Sequence, residues 1–208
     1  MVSVKTTRRR TYREVEIKLR VADVPAILSR LRRMGAKPRG RVLEQNTLYD
    51  TPDCDFRSRG RLLRLRIETP APAGGGKRVI LTSKAPAPVL AGSASRSVKS
   101  RFKEKAERER RVRNSRHWPS TLRALGLRPG FRYEKYRSEF RVMGLNVSLD
   151  ETPAGSFLEL EGAPRAIDRA SRALGFTRRD YLRGTYWDVY AADCRREGIT
   201  AKDMLFVP

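Results

Sequence analysis

Among the like-charged residues that stand two apart along this chain, five pairs fall in alternating or motif-like stretches: Glu14 and Glu16, Arg64 and Arg66, Glu107 and Glu109, Lys135 and Arg137, and Glu159 and Glu161. On a strand, residues i and i+2 are neighbours on one face, about 7 Å apart. Two like charges so placed repel each other unless an opposite charge lies between them. A divalent cation answers a pair of carboxylates, and a phosphate answers a pair of guanidinium groups. Two acidic pairs carry the most weight. The chain has only 23 acids, and both Glu14/Glu16 and Glu159/Glu161 are flanked by apolar alternates, as in Phe157-Leu158-Glu159-Leu160-Glu161. The arginine pairs say less, because 36 of the 46 basic residues are arginine.

These pairs need strands to present them. Residues 13–21 alternate strictly, with Val15, Ile17, Leu19 and Val21 on one face and Glu14, Glu16, Lys18 and Arg20 on the other. Period 2 predicts a strand. Asp23 reads as the N-cap of a helix over 23–34, carrying Ile27, Leu28, Leu31 and Met34 and ending at Gly35. Strands follow at 41–50, 61–68 and 77–84, with a turn at Thr51-Pro52-Asp53. Residues 85–101 are rich in Pro, Ala and Ser and read as a loop, whereas 102–112 on its own reads as a charged helix. A short helix at 119–126 precedes strands at 132–142, 144–150 and 156–161. A helix at 165–174 and an amphipathic helix at 180–196 complete the series, and no fixed-period repeat occurs. Many antiparallel strands with a few short helices make an α+β or barrel-like domain. Residues 1–11 read as a disordered basic arm, 12–195 as one domain and 196–208 as a tail.

Composition bounds the function. The 46 basic residues exceed the 23 acids by 23, which makes nucleic acid the first partner to consider. An Arg-rich, Ala-, Gly- and Pro-rich chain also fits the codon usage of a GC-rich genome. Two cysteines, Cys54 and Cys194, and one histidine, His117, cannot build a Cys/His zinc cluster or a disulfide framework. His117 stands beside Trp118 with no nucleophile motif around it, against a Ser-His or Cys-His hydrolase. Gly74-Gly75-Gly76-Lys77-Arg78 lacks the Ser/Thr after the lysine that a P-loop requires. No apolar run is long enough to span a membrane, and the first residues lack the apolar segment of a secretory signal. A cytoplasmic protein without a membrane partner is expected.

The charged motifs, in order, resemble those of the CYTH domain, in the triphosphate tunnel metalloenzyme superfamily. Glu14-Val15-Glu16-Ile17-Lys18 matches its E-x-E-x-K signature. Gln45 to Asp53 resembles its stretch ending in Y-x-D-T-P, with one residue of the usual spacing absent. Gly60 to Arg66 resembles G-x-x-L-R-x-R, and Leu81-Thr82-Ser83-Lys84 resembles L-T-x-K. Lys105 to Glu109 resembles R-x-E-x-E with Lys for the first Arg, and Lys135-Tyr136-Arg137 resembles K-x-R. Asp150 followed by Gly155 to Glu161 resembles the D…G-x-F-x-E-x-E pattern. The resemblance spans roughly residues 12–190. It implies an α+β fold, an eight-stranded antiparallel β-barrel or tunnel with flanking helices, whose charged faces point inward. It also implies that 104–112 is a strand despite its local propensity.

The family hydrolyses triphosphate compounds or, in one branch, cyclises ATP, and it requires Mg²⁺ or Mn²⁺. The resemblance therefore implies two metal ions, held chiefly by Glu14, Glu16, Glu159 and Glu161 with help from Glu107, Glu109 and Asp150. Arg64, Arg66, Lys84, Lys135 and Arg137 would hold the triphosphate. Lys18 would either touch phosphate or orient and deprotonate the attacking water, with Glu16 the other catalytic position. The seven motif acids and six motif bases nearly cancel, so a triphosphate with two divalent cations fits electrostatically. The helix at 181–194 is expected to cap one end of the tunnel. Hydrolysis of inorganic tripolyphosphate, thiamine triphosphate or a nucleoside triphosphate is the first reading, and a class IV adenylyl cyclase making cyclic AMP is the second. A third, of another class, is a non-catalytic binder of RNA or polyphosphate. It rests on the arm and on 96–116, where ten Lys/Arg meet three Glu. Weak nonspecific polyanion binding there would accompany the small triphosphate substrate of a monomer or homodimer.

Overall fold

The computed structural model describes residues 11–72, 74–86, 103–112, 117–182 and 184–207. Most of the expected arm and of the 85–101 loop, and residues 113–116, lie outside the described residues. Eight strands form one antiparallel sheet: β1 (Thr11–Val21), β2 (Lys37–Asp50), β3 (Leu62–Pro70), β4 (Arg78–Pro86), β5 (Lys103–Val112), β6 (Arg128–Val142), β7 (Leu145–Thr152) and β8 (Gly155–Glu161). They run β1-β5-β4-β3-β2-β6-β7-β8, and β8 pairs with β1 to close a barrel. The helices are α1 (Val24–Arg33), α2 (Asp55–Ser58), α3 (Trp118–Ala124), α4 (Pro164–Ala173) and α5 (Tyr186–Arg196). Among the described residues no helix is long and apolar enough to cross a membrane.

The alternation on β1 decides the layering. Ile17, Leu19 and Val21 face outward and are buried with Leu158 and Leu160 of β8 and with Leu145, Val147 and Leu149 of β7. Ile27 and Leu31 of α1 and Ile167 and Ala170 of α4 cover them. The main hydrophobic core thus lies outside the barrel, between sheet and helices. A second cluster joins Tyr49, Leu65 and Val79 to Leu122 of α3 and to Leu127. A third, Phe131, Tyr133, Phe157, Tyr186 and Met204, lies beneath α5. Inside the barrel most buried side chains are polar, including Lys18, Glu44, Asn46, Arg64, Arg66, Lys135 and Asp150, with Phe131, Tyr133 and Phe157 at the end covered by α5. A one-residue slip in any strand would exchange these two populations, so register is strongly specified.

Local chemistry supports the connections. Asp23 caps α1, accepting from Ala26 N at 2.9 Å. Met143 and Gly144, both at positive φ, make the two-residue turn between β6 and β7, where twist favours that geometry. β5 is a strand, as the resemblance implied and its local propensity did not. It is held on both sides, by β1 and by β4, and pairing overrides propensity.

Other elements depart from the sequence reading. β2 begins at Lys37 and β6 at Arg128, each four residues earlier than expected. The added ends carry Pro38, Gly40, Pro129 and Gly130, which hide strand character, yet they sit in the long β2–β6 ladder across two register shifts. α2 was not expected. It is too short to show periodicity, and the Asp50 carboxylate builds it by accepting from the N–H groups of Thr51, Phe56 and Arg57. The helix expected from 180 starts at Tyr186 instead. A 3₁₀ turn at Arg178–Asp180 comes first, and a Thr185–Asp188 capping box starts α5. The chain after α5 returns to the barrel: Met204 is buried and bridges Tyr133 in parallel.

Leu19 is fully buried between barrel and helices. Leu19→Ala should lower unfolding free energy by about 2–5 kcal/mol in urea titrations.

Candidate functional site

The barrel encloses a cavity of about 940 Å³. β1 supplies Glu16 and Lys18, β8 supplies Glu159 and Glu161, and β5 supplies Glu109. β3 supplies Arg64, Arg66 and Glu68, β4 supplies Lys84, and β6 supplies Tyr133, Lys135 and Arg137. Tyr186 and Trp187 of α5 also line the cavity. The structure thus brings together Glu16, Lys18, Arg64, Arg66, Lys84, Glu109, Lys135, Arg137, Glu159 and Glu161. The side chains of Glu14 and Glu107 lie outside the described residues. Asp150 stands behind the wall rather than on it.

Register explains the acidic side. Glu16 is directly opposite Glu161, and Lys18 directly opposite Glu159, across the β1–β8 seam. The Lys18 ammonium donates to Glu159, and so does the Arg137 guanidinium. Burial alone would push the Glu159 carboxyl up. Lys18, Arg137 and Lys135 outweigh it and hold the group well below the usual carboxylate range.

The basic side is braced from behind. Asp150 is fully buried and accepts from Arg137 Nε at 2.7 Å, Arg137 Nη2 at 2.6 Å and Lys135 Nζ at 2.8 Å. The Tyr186 hydroxyl donates to the same carboxylate. Burial, with Asp150 and Glu159 nearby, pushes that phenol well above its ordinary value, so it remains a donor. The Tyr186 ring carries the Lys18 ammonium 4.0 Å from its centroid and that of Lys135 at 4.8 Å. On the far side Arg64 donates to Thr82 Oγ1 at 3.2 Å and to the Tyr133 hydroxyl at 3.4 Å. Thr82 passes the contact on to Glu109 at 3.0 Å. Arg66 Nε donates to Asn46 Oδ1 at 3.0 Å.

Sequence reasoning missed several of these residues. Glu44 and Glu68 face each other across β2 and β3, and both are buried beside Arg66. Glu68 continues the face of Arg64 and Arg66, a signal available from parity. Glu44, Asn46 and Thr82 belong to no like-charge pair, and Tyr186 reads as an ordinary apolar helix position. Asp150 was expected as a metal ligand. Its oxygens are instead engaged by Lys135, Arg137 and Tyr186. Among the described residues no three His, Cys, Asp or Glu side chains converge as a metal cluster.

A charged, water-accessible interior within a closed antiparallel barrel defines a tunnel protein. The sequence matches the CYTH domain family over residues 12–174, and the chain belongs to that family. Solved structures show the same fold. The PH1819 protein of Pyrococcus horikoshii is 23% identical at a TM-score of 0.70, covering 86% of this chain and 99% of its own. A Vibrio parahaemolyticus protein described as a candidate adenylate cyclase is 21% identical at a TM-score of 0.65, covering 86% and 98%. A Hippeastrum protein, described as a candidate adenylyl cyclase with a dominant triphosphatase activity, is 19% identical at a TM-score of 0.54, covering 90% and 97%. No curated protein sequence matches.

Glu44 is likewise held well below the carboxylate range. Burial would raise it, but Lys135, Arg66, Arg137 and Arg64 prevail. A carboxyl depressed in the fold stabilises above its unfolded value, about 4.3, and loses that contribution as pH falls further. Thermal melts should therefore show Tm nearly flat from pH 7 to about pH 5 and falling below about pH 4. Glu44→Gln should lower Tm at pH 7 and flatten the acid slope.

Proposed function

We propose that this protein hydrolyses a triphosphate compound inside the barrel with the help of a divalent cation. The observation that carries the reading is the division of the cavity wall. Glu16, Glu159 and Glu161 of β1 and β8 line the same cavity as Arg64, Arg66, Lys135 and Arg137 of β3 and β6, and the two groups meet where Arg137 and Lys18 contact Glu159. A triphosphate chain needs dense positive charge along its oxygens and a dication on its far side, and the two walls offer both.

The donor set suits Mg²⁺ or Mn²⁺. Glu16 and Glu161 offer only oxygens and stand opposite each other in register. Mg²⁺ keeps several waters and is commonly held by one or two carboxylates plus substrate phosphates. Glu16 and Glu161 would form the nucleus of the site, with Glu159 beside them, Glu14 two residues before Glu16 on its strand, and Glu107 and Glu109 on β5. Bound there, the cation would polarise phosphoryl oxygens and lower the pKa of a coordinated water.

Arg64, Arg66, Lys84, Lys135 and Arg137 would grip the phosphate oxygens, arginine through two parallel N–H bonds. Lys18 sits where acidic and basic walls meet, bonded to Glu159 and stacked on Tyr186. That position suits it to orient the attacking water against the terminal phosphorus. Its partner Glu159 is then shared between Lys18 and the cation.

Purified protein with Mg²⁺ or Mn²⁺ should release phosphate from tripolyphosphate, thiamine triphosphate or ATP. Glu16→Gln should lower the rate at least about 100-fold. Unchanged turnover in that variant overturns the reading. Cyclic AMP as the product of ATP would make the ribose 3′-hydroxyl, rather than water, the nucleophile. Salt-sensitive RNA binding without turnover would replace catalysis by polyanion binding.

A further inference from the structure

Arg64, Arg66, Lys135 and Arg137 converge on one side of the cavity before any phosphate is there to hold them. Held this close, their mutual repulsion would splay them. Asp150 answers Lys135 and Arg137, Glu159 answers Arg137, Glu68 answers Arg66 and Glu109 answers Arg64, so each of these acids reaches at most two of the four. Glu44 reaches three of the four: Arg66 Nη1 at 3.0 Å, Lys135 Nζ at 3.5 Å and Arg137 Nε at 3.7 Å. Register puts it there, with Glu68 opposite on β3 and Lys135 opposite on β6.

Two features separate Glu44 from the acids of the tunnel. It is 1% exposed and is not among the residues that line the cavity. Both its oxygens lie within ion-pair distance of cations yet make no well-aligned hydrogen bond. The contact therefore balances charge without engaging the N–H donors. A carboxylate that took those donors as hydrogen bonds would compete with phosphate for them.

We propose that Glu44 is a positioning residue of the anion site: from behind the basic wall its carboxylate keeps Arg66, Lys135 and Arg137 converged by charge, without itself taking their N–H groups as hydrogen bonds. The assignment rests on the triphosphatase reading above. It makes the wall pre-organised, so the alignment that the transition state needs exists before binding.

The test uses inorganic tripolyphosphate on the full chain, with initial rates in Mg²⁺ and calorimetric binding in chelator. Glu44→Gln keeps the shape and removes the charge. It should bind tripolyphosphate with unchanged stoichiometry and within about threefold of wild-type affinity, because the wall gains one net positive charge. Its kcat should fall at least about tenfold, because the cations are no longer aligned. Glu44→Asp keeps the charge one methylene further away, so its kcat should lie between the two. Should Glu44→Gln not fold, Glu44→Asp carries the test: lower kcat at unchanged affinity supports the assignment, and wild-type kcat overturns it. Wild-type kcat in Glu44→Gln overturns it too, as does a loss of kcat matched by lost binding stoichiometry, which is the mark of a folding role alone. Wild-type protein that neither binds nor hydrolyses tripolyphosphate overturns the triphosphatase reading itself, and this assignment with it.

Discussion

Asp150 is completely buried with Lys135 and Arg137 upon it. The barrel tolerates such charges only because each has an opposite partner within contact. Removing a buried ion from water costs several kcal/mol, and breaking one side of a buried pair costs about 3–5 kcal/mol. The interior is therefore a web rather than a set of independent pairs. Glu159 joins Lys18 to Arg137, Arg137 joins Glu159 to Asp150, and Glu44 ties Arg137 and Lys135 to Arg66. That web holds the side chains of β1, β2, β3, β6, β7 and β8 in one arrangement.

Much else follows from an ionised interior. Such a barrel can bury few apolar residues within itself, so most of them face outward and are covered from outside. α1 and α4 exist, in this sense, to give Ile17, Leu19 and Leu158 a dry place. The two layers then share one set of strands, and the pleat alone separates site from core. α5 differs from the other helices because it serves both: Tyr186 packs on Phe157 and Tyr133 while its hydroxyl reaches Asp150.

Parity made most of this legible in the sequence. Alternation on β1, β3, β6 and β8 identified the charged faces, and Glu16 and the pairs on β3, β6 and β8 meet in the cavity. A doublet criterion, however, sees only residues that repeat. Glu44 is a single acid on a strand otherwise noted for its turn, and its importance comes from three cations on other strands. Asp150 showed in the motif order, but its neighbours decide that its oxygens are occupied from within. α2 depends on one carboxylate gathering three N–H groups, which no periodicity records. The ends of β2 and β6 carry Pro and Gly that speak against strands, and only their mutual pairing overrules that. Local patterns thus disclosed the faces, while contacts between distant segments disclosed which charges are partners.

The first strand pairs with the last, and with the fifth. The ring therefore cannot close until β8 is available, and every earlier form of the chain presents open strand edges. Such edges invite pairing with other chains. In this protein the inward face of each waiting strand carries charges rather than a bare apolar stripe: Glu16 and Lys18 on β1, Arg64 and Arg66 on β3, Lys135 and Arg137 on β6. On β3 and β6 those charges are of one sign and repel their own copies, and charges of either sign interrupt an apolar edge, as gatekeeper residues do. The charges that shape the finished cavity are thus also the ones that stand against mispairing at the open edges until the seam is made.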